Sequence, residues 1–290
     1  MVSGMRSPGS QTTKHKQRVV ANIGNQTINK AIDETIDEMS AWPARRAMQS
    51  SAVDYHRDMG KKSSFAASES GAAGVCAALP APVQAVIEAI EMDVIRGRIL
   101  PRNRLIEDHL MEDYAAKRHV VRAALAQLQR LGVVVKPPHL GAHIRRFDAQ
   151  SLRDLYHLRA VLHRAAVASM PLPVAPDRLM QVRHAAQAHA MAAATGDLVA
   201  IHRSNMLFHR LFYGLCDNAY LAESIRLHDW LSFPARAYAI AEPQALEQAC
   251  AEHAAMVAAL AAGDQGQLER LAVAHMGRAR AIYEQRYLRA

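Results

Sequence analysis

The chain has 290 residues, half of them hydrophobic but only 5% aromatic, and a formal net charge of +8. That length holds two domains with a sizeable core, and an Ala- and Leu-rich apolar content poor in aromatics favours helix over a β-sandwich. No apolar run approaches the roughly 20 residues of a membrane helix. Cys76, Cys216 and Cys250 show no CxxC spacing, so a disulfide scaffold is not expected and a reducing cytoplasm fits.

The charge is unevenly spread. Residues 81–146 carry 11 Lys and Arg against 7 Asp and Glu, whereas residues 147–290 carry 14 against 13. A dense positive excess on a short segment suits a polyanion such as DNA. Residues 1–80 read as a poorly ordered extension rich in Ser, Gly, Ala and Lys. Within it, Thr27–Trp42 carries Ile28, Ile32, Ile36 and Met39 at the spacing of a short amphipathic helix. The basic-then-apolar pattern of an export signal is absent from its start.

From Ala81 the periodicity becomes regular. Val83, Val86, Ile87, Ile90, Val94 and Ile95 make one helical face that Gly97 stops, and the stretch with Pro101 and Leu105 reads as an extended connection. A short helix over Ile106–Tyr114, a turn, and a longer helix over Lys117–Leu131 follow, with Gly132 as the stop. Val133–Lys136 and Ala142–Phe147 read as strands on either side of the Pro137–Gly141 turn. Helix, turn, helix and hairpin in that order predict a winged helix-turn-helix over residues 81–147. On the third helix Val121, Ala124, Leu125, Leu128 and Leu131 form the buried stripe. Arg118 and Arg122 lie roughly 80–120° from its centre and His119 almost opposite. Those cations at a helix N-terminus fit a DNA groove, where Arg forks guanine O6/N7 or clamps phosphate.

Residues 148–290 read as an all-α antiparallel bundle of six or seven helices. Asp148, Asp177, Asp197 and Asp264 are the expected caps, and Gly196 and Gly263 the stops. Leu152, Leu155, Leu158, Val161 and Leu162 are the expected core face of its first helix.

Residues 83–146 resemble the DNA reader of the GntR superfamily of bacterial transcription regulators. Pro101, Leu105, Glu107, Leu110, Arg118, Val121, Arg122, Ala124, Leu125, Leu128, Gly132 and Gly141 match its pattern in register. The family's Ser-Arg-Thr-Pro is replaced by Lys117, Arg118, His119 and Val120, and a Glu by Ala123. The resemblance implies DNA contacts by Lys117, Arg118, His119, Arg122, His139 and Gly141, on an operator unusual in sequence.

The second half is similar to the FCD ligand-binding domain of the family's FadR-like branch. The carriers are DLYHLRAVLHRAAV, NMLFHRLFYGLCDNAYL and EHAAMVAALAAGDQGQLERLAVAHM. The resemblance implies a divalent metal of Zn or Ni type on Asn205, His209, His253 and His275, with Asn205 in place of the usual Asp. It also implies Arg159 and Asn205 as contacts for a small carboxylate effector, double-stranded operator DNA as partner, and a homodimer. His163 stands where the family has Glu. The expected role is a cytoplasmic transcription regulator, a repressor released by an organic acid, and not an enzyme. Two rivals stand beside it, an architectural DNA binder without effector and a metal-dependent hydrolase on the same four residues. The hydrolase lacks an HExxH motif, and Glu252, beside His253, points about 100° away on its helix.

Overall fold

The computed structural model describes residues 79–288; the N-terminal extension and its Thr27–Trp42 helix lie outside the described residues. Helix α1 (Ala81–Ile95) buries the six apolar residues of its expected face. It is followed by β1 (Arg104–Leu105), α2 (Glu107–Asp113), α3 (Arg118–Arg130), β2 (Val134–Val135) and β3 (Ala142–Ile144). The three strands form one antiparallel sheet in the order β1-β3-β2, with Arg104 opposite His143 and Val134 opposite Ile144. The stretch expected to be a plain connection therefore supplies a third strand. The hairpin strands are shorter than expected. Beyond Ile144 only Arg145 N reaches back, to Val133 O at 2.9 Å, and Phe147 N is taken by the Tyr283 hydroxyl at 3.1 Å.

Helix α3 buries Val121, Ala124, Leu125 and Leu128, and Val120 joins them. Leu131, expected in the same stripe, is its half-buried C-cap. Gly132 follows at φ +77°, and a Cβ there would lie 2.5 Å from Leu231 Cδ1. Backbone conformation and close approach both demand glycine.

The second half is a bundle of six helices: α4 (Ala149–Ala168), α5 (Pro176–Thr195), α6 (Leu198–Gly214), α7 (Ala219–Ile240), α8 (Pro243–Ala262) and α9 (Gln265–Tyr287). Asp148, Asp197, Asn218 and Asp264 cap α4, α6, α7 and α9 by accepting from backbone N–H groups of the first turn. Asp177 is not a cap. Ala175 holds that position, Pro176 opens α5, and Asp177 stands in its first turn. Proline suits the place because its missing N–H would have had no helical partner. Helix α4 departs most from expectation. Leu158 and Val161 are 41% and 47% exposed, whereas Tyr156, Arg159 and His163 are buried.

Two cores result. One joins α1, α3 and the sheet to Leu152, Tyr156, Phe233, Tyr238 and Tyr283, so it runs from the first half into the bundle. The other, around Phe208, Phe212, Met256 and Leu268, belongs to the bundle alone. No helix among the described residues is long and apolar enough to cross a membrane.

Candidate DNA reader and effector cavity

The angle between α2 and α3 brings the first turn of one against the first exposed turn of the other. Lys117, Arg118, His119 and Arg122 are all exposed there. The two arginines are nonetheless paired: Arg118 Nη2 donates to Asp108 Oδ1 at 2.6 Å and Arg122 Nε to Glu107 Oε2 at 2.8 Å. The wing follows. His139 is exposed at φ +63°, and Gly141 has φ +80° with the Arg104 guanidinium against it, 3.1 Å from where a Cβ would stand. A groove of about 440 Å³ between α3 and the wing is lined by Arg104, Arg122, Lys136 and Gly141. The structure thus unites Arg122 with Gly141 and adds Arg104 and Lys136, which sequence reasoning passed over. Arg104 lies on the unexpected strand, and only its pairing with β3 carries it to the wing.

In the bundle, α6, α8 and α9 each turn one histidine inward. One imidazole nitrogen from each of His209, His253 and His275 lies within 4.8 Å of the other two. His275 Nε2 is 3.3 Å from His253 Nε2 and 3.3 Å from His209 Nε2. Glu252 fixes the protonation pattern. Its Oε2 accepts from His275 Nδ1 at 2.7 Å and its Oε1 from Arg278 Nη2 at 2.6 Å. Burial works to raise this carboxyl, but the two hydrogen bonds overcome it and hold the group at about 2. An ionised carboxylate only accepts, so the proton between them is on His275 Nδ1. Burial pushes His209 and His253 well below the usual imidazole range, so both are neutral.

Three imidazoles with converging nitrogens fit a divalent ion. Nitrogens about 2.1 Å from a tetrahedral zinc would stand about 3.4 Å apart. His253 stacks on the Phe208 ring, centroids 3.8 Å apart, and its Nδ1 is buried without a partner. Asn205, one turn before His209 on α6, lines the same cavity as His209 and His275.

That cavity, about 100 Å³, lies among α4, α6, α7, α8 and α9, with His189 of α5 also on its wall. Arg159 enters it from α4, 5% exposed, with Nη2 donating to Asp229 Oδ1 at 2.6 Å and its guanidinium 5.1 Å from the Tyr156 ring centre. Arg159 Nε and the Tyr156 hydroxyl are buried without partners. Beside them His163 Nδ1 lies 2.6 Å from the Tyr213 hydroxyl, and burial pushes that imidazole down to about 3. His189, Arg236 and Arg278 also line the cavity, and its apolar walls include Ile201, Ile240, Leu246 and Met276. Unsatisfied donors facing a small apolar-walled space are the usual mark of a ligand site.

A second, open cleft of about 1850 Å³ separates α1 and α2 from α6 and α7. The two spaces share Met206, His209, Asp229 and Arg236. The larger is lined by the unpartnered Glu91 Oε1 and His202 Nδ1, whereas His275, Arg159 and Tyr156 border only the smaller one. Of the residues expected from the sequence, Arg159, Asn205, His209 and His275 line the smaller cavity and His253 lies against it; Tyr156, Asp229 and Arg236 join them unexpected, and Glu252, set aside as a base, stands behind His275. The signal for one of these was visible. Tyr156, Arg159 and His163 recur at i, i+3 and i+7, a polar stripe that competes with the apolar one for the inside of α4.

A family model for bacterial regulatory proteins of the gntR family matches residues 82–144, and one for the FCD domain matches residues 154–278. The chain is similar in structure to E. coli McbR/YncC, with a TM-score of 0.60 and 22% identity over 72% of this chain and 100% of that one. It is also similar to a GntR regulator from Rhodococcus sp. RHA1, with a TM-score of 0.54 and 20% identity over 72% and 100% of the respective chains. At such identities the likeness speaks to fold. No curated protein matches the chain.

Proposed function

The chain belongs to the gntR family of bacterial regulatory proteins and carries an FCD domain behind its reader; from this we propose a homodimeric repressor released from its operator by a small organic acid. It is a DNA-binding transcription regulator with a C-terminal effector-sensing domain. The observation that carries the finer reading is the cavity lined by Arg159, Tyr156, His209 and His275, with His253 buried against the last two.

Asn205, His209, His253 and His275 would hold a divalent ion, which when bound supplies positive charge for an anionic ligand. Arg159 offers a carboxylate two more donors, but in the free protein it is engaged by Asp229. The effector must exchange with that internal carboxylate. Glu252, hydrogen-bonded to His275 and Arg278, does not line the cavity and so is not placed to activate a water there. This favours a sensor over a hydrolase, and a built, donor-lined cavity favours a sensor over an architectural binder.

A ligand regulates only if it binds two placements of the reader unequally. Helix α7 touches both sides of the problem. Asp229 and Arg236 border the cavity, while Leu231 rests against Gly132 at the end of α3. Exposed Leu158 and Val161 on α4, with Tyr220 and Leu227 on α7, support a second copy docking on these two helices. Two-fold DNA half-sites match such a pair.

Thermal shift across a panel of short organic acids, with zinc and with a chelator, tests the effector reading. At least one acid is expected to raise Tm and, in gel-shift titration against the chain's own upstream region, to release the DNA. A flat panel would sink the sensor, and binding indifferent to sequence and salt would sink the operator claim.

A further inference from the structure

The two arginines expected to read DNA do not stand alone. Asp108 Oδ1 lies 2.6 Å from Arg118 Nη2, and Glu107 Oε2 lies 2.8 Å from Arg122 Nε and 3.6 Å from Arg118 Nη1. Two carboxylates therefore cancel two guanidinium charges on the surface that faces DNA. The acids differ in setting. The Glu107 side chain is 27% exposed and touches both arginines, as a brace would, whereas that of Asp108 is 64% exposed and touches only Arg118. Exposed pairs of this kind add little to folding stability. Their effect falls on whatever approaches Arg118.

A phosphate arriving at Arg118 meets the Asp108 carboxylate at the same guanidinium, and the like charges repel. A guanine edge brings only partial charges at O6 and N7, so its approach is penalised far less. Asp108 also has acceptor capacity free, and the one base-edge group in the major groove that a carboxylate accepts from at a G·C pair is the cytosine N4 amino group. We propose that Asp108 is a specificity-determining residue of the reader. It penalises binding in which Arg118 meets backbone alone, and it admits a site where Arg118 forks a guanine while the carboxylate accepts from cytosine N4. The proposal rests on the assignment of Arg118 to the DNA-facing surface. Discrimination in this scheme comes from weakening the wrong complexes as much as from strengthening the right one.

The test uses the full-length chain. Sites are selected from a pool of random duplexes by the unmodified protein, and affinities for a selected site and for a random duplex are then measured over a salt series. Asp108→Asn keeps size and removes the charge. It is expected to tighten random-duplex binding about threefold, to gain less on the selected site, and so to lower their ratio. The slope of log K against log salt on the random duplex should steepen by roughly 0.9, one further phosphate contact. Selection repeated with D108N should lose a G·C preference at one position per half-site. An unchanged ratio, slope and selected sequence would overturn the proposal, as would D108N weakening both duplexes alike. Arg118→Ala separates the two layers. If it still selects the original site, the assignment of Arg118 falls and the proposal with it. If it loses the site while D108N behaves as the unmodified protein does, only the role of Asp108 falls. An unaltered melting curve for D108N excludes misfolding as the cause of any change.

Discussion

Glu252 adjoins His253 in the chain, yet its hydrogen bonds go to His275 and Arg278 on the next helix. A carboxylate behind a metal-facing imidazole fixes its tautomer and raises its basicity. Glu252→Gln should therefore lower zinc affinity about 10- to 100-fold, measured by competition with a chromophoric chelator. An unchanged affinity would mean that the histidine cluster is not the ion's seat. The Arg159–Asp229 pair invites a different measurement. Removing one partner of a buried pair leaves the other charge stranded, so Asp229→Ala should cost about 3–5 kcal/mol in urea unfolding. The buried histidines also set a pH dependence. Burial holds His163 and His202 at about 3 in the folded protein, against 6.5 when free. Below pH 6.5 the unfolded chain takes up protons that the folded one refuses, so their contribution is present above 6.5 and is lost as pH falls toward 3. Each such site withdraws up to about 1.4 kcal/mol per pH unit below 6.5. Glu91 works in the opposite sense, because burial raises it from 4.5 to about 8. Its contribution is present below 4.5 and is lost as pH rises through 8. Urea midpoints should fall from pH 7 to pH 5, and Glu91→Gln should flatten the alkaline side.

At the scale of elements, what was legible in the sequence is what is decided locally. Asp197 accepts from Val199 N at 2.9 Å and Ala200 N at 3.3 Å within one turn, so residue type and spacing identify the cap without knowledge of any other helix. Asp197→Ala should cost about 1 kcal/mol, a test of how far α6 depends on its own terminus. Asp177 shows the limit even there, since an adjacent proline takes the position that its chemistry suits. What was not legible depends on how one helix is turned against another. The side of α4 that faces inward is chosen by Asp229 and Tyr213 on other helices; α4 itself offers both an apolar and a polar stripe, and nothing within it decides that Leu158 yields to Arg159. Likewise β1 exists only because β3 returns beside it. The register of two residues against two is too short to announce itself in the chain. Gly132 shows a local and a distant demand coinciding at one position. Gly132→Ala should destabilise by more than its conformation alone would cost, since Leu231 must also retreat.

Across the whole molecule the question is how a small anion in the bundle alters a helix in the reader. Because α7 borders the cavity at Asp229 and meets the reader at Leu231, Leu231→Ala should separate two responses that otherwise travel together. The effector's rise in Tm should persist while its effect on DNA affinity shrinks. Equal loss of both would place the connection elsewhere, with the ion pair between Glu88 and Arg203 the next to examine. The first hydrophobic core has a consequence of its own, since it draws on α1, α3 and the sheet at one end and on Phe233, Tyr238 and Tyr283 at the other. No plane through the molecule divides it into two sets of apolar contacts that would each survive the cut. Calorimetry should then record one endotherm whose van 't Hoff and calorimetric enthalpies agree. Amide protons in α3 should exchange more slowly once the distant cavity is filled, because a ligand that holds the bundle closed also denies the reader its route to opening.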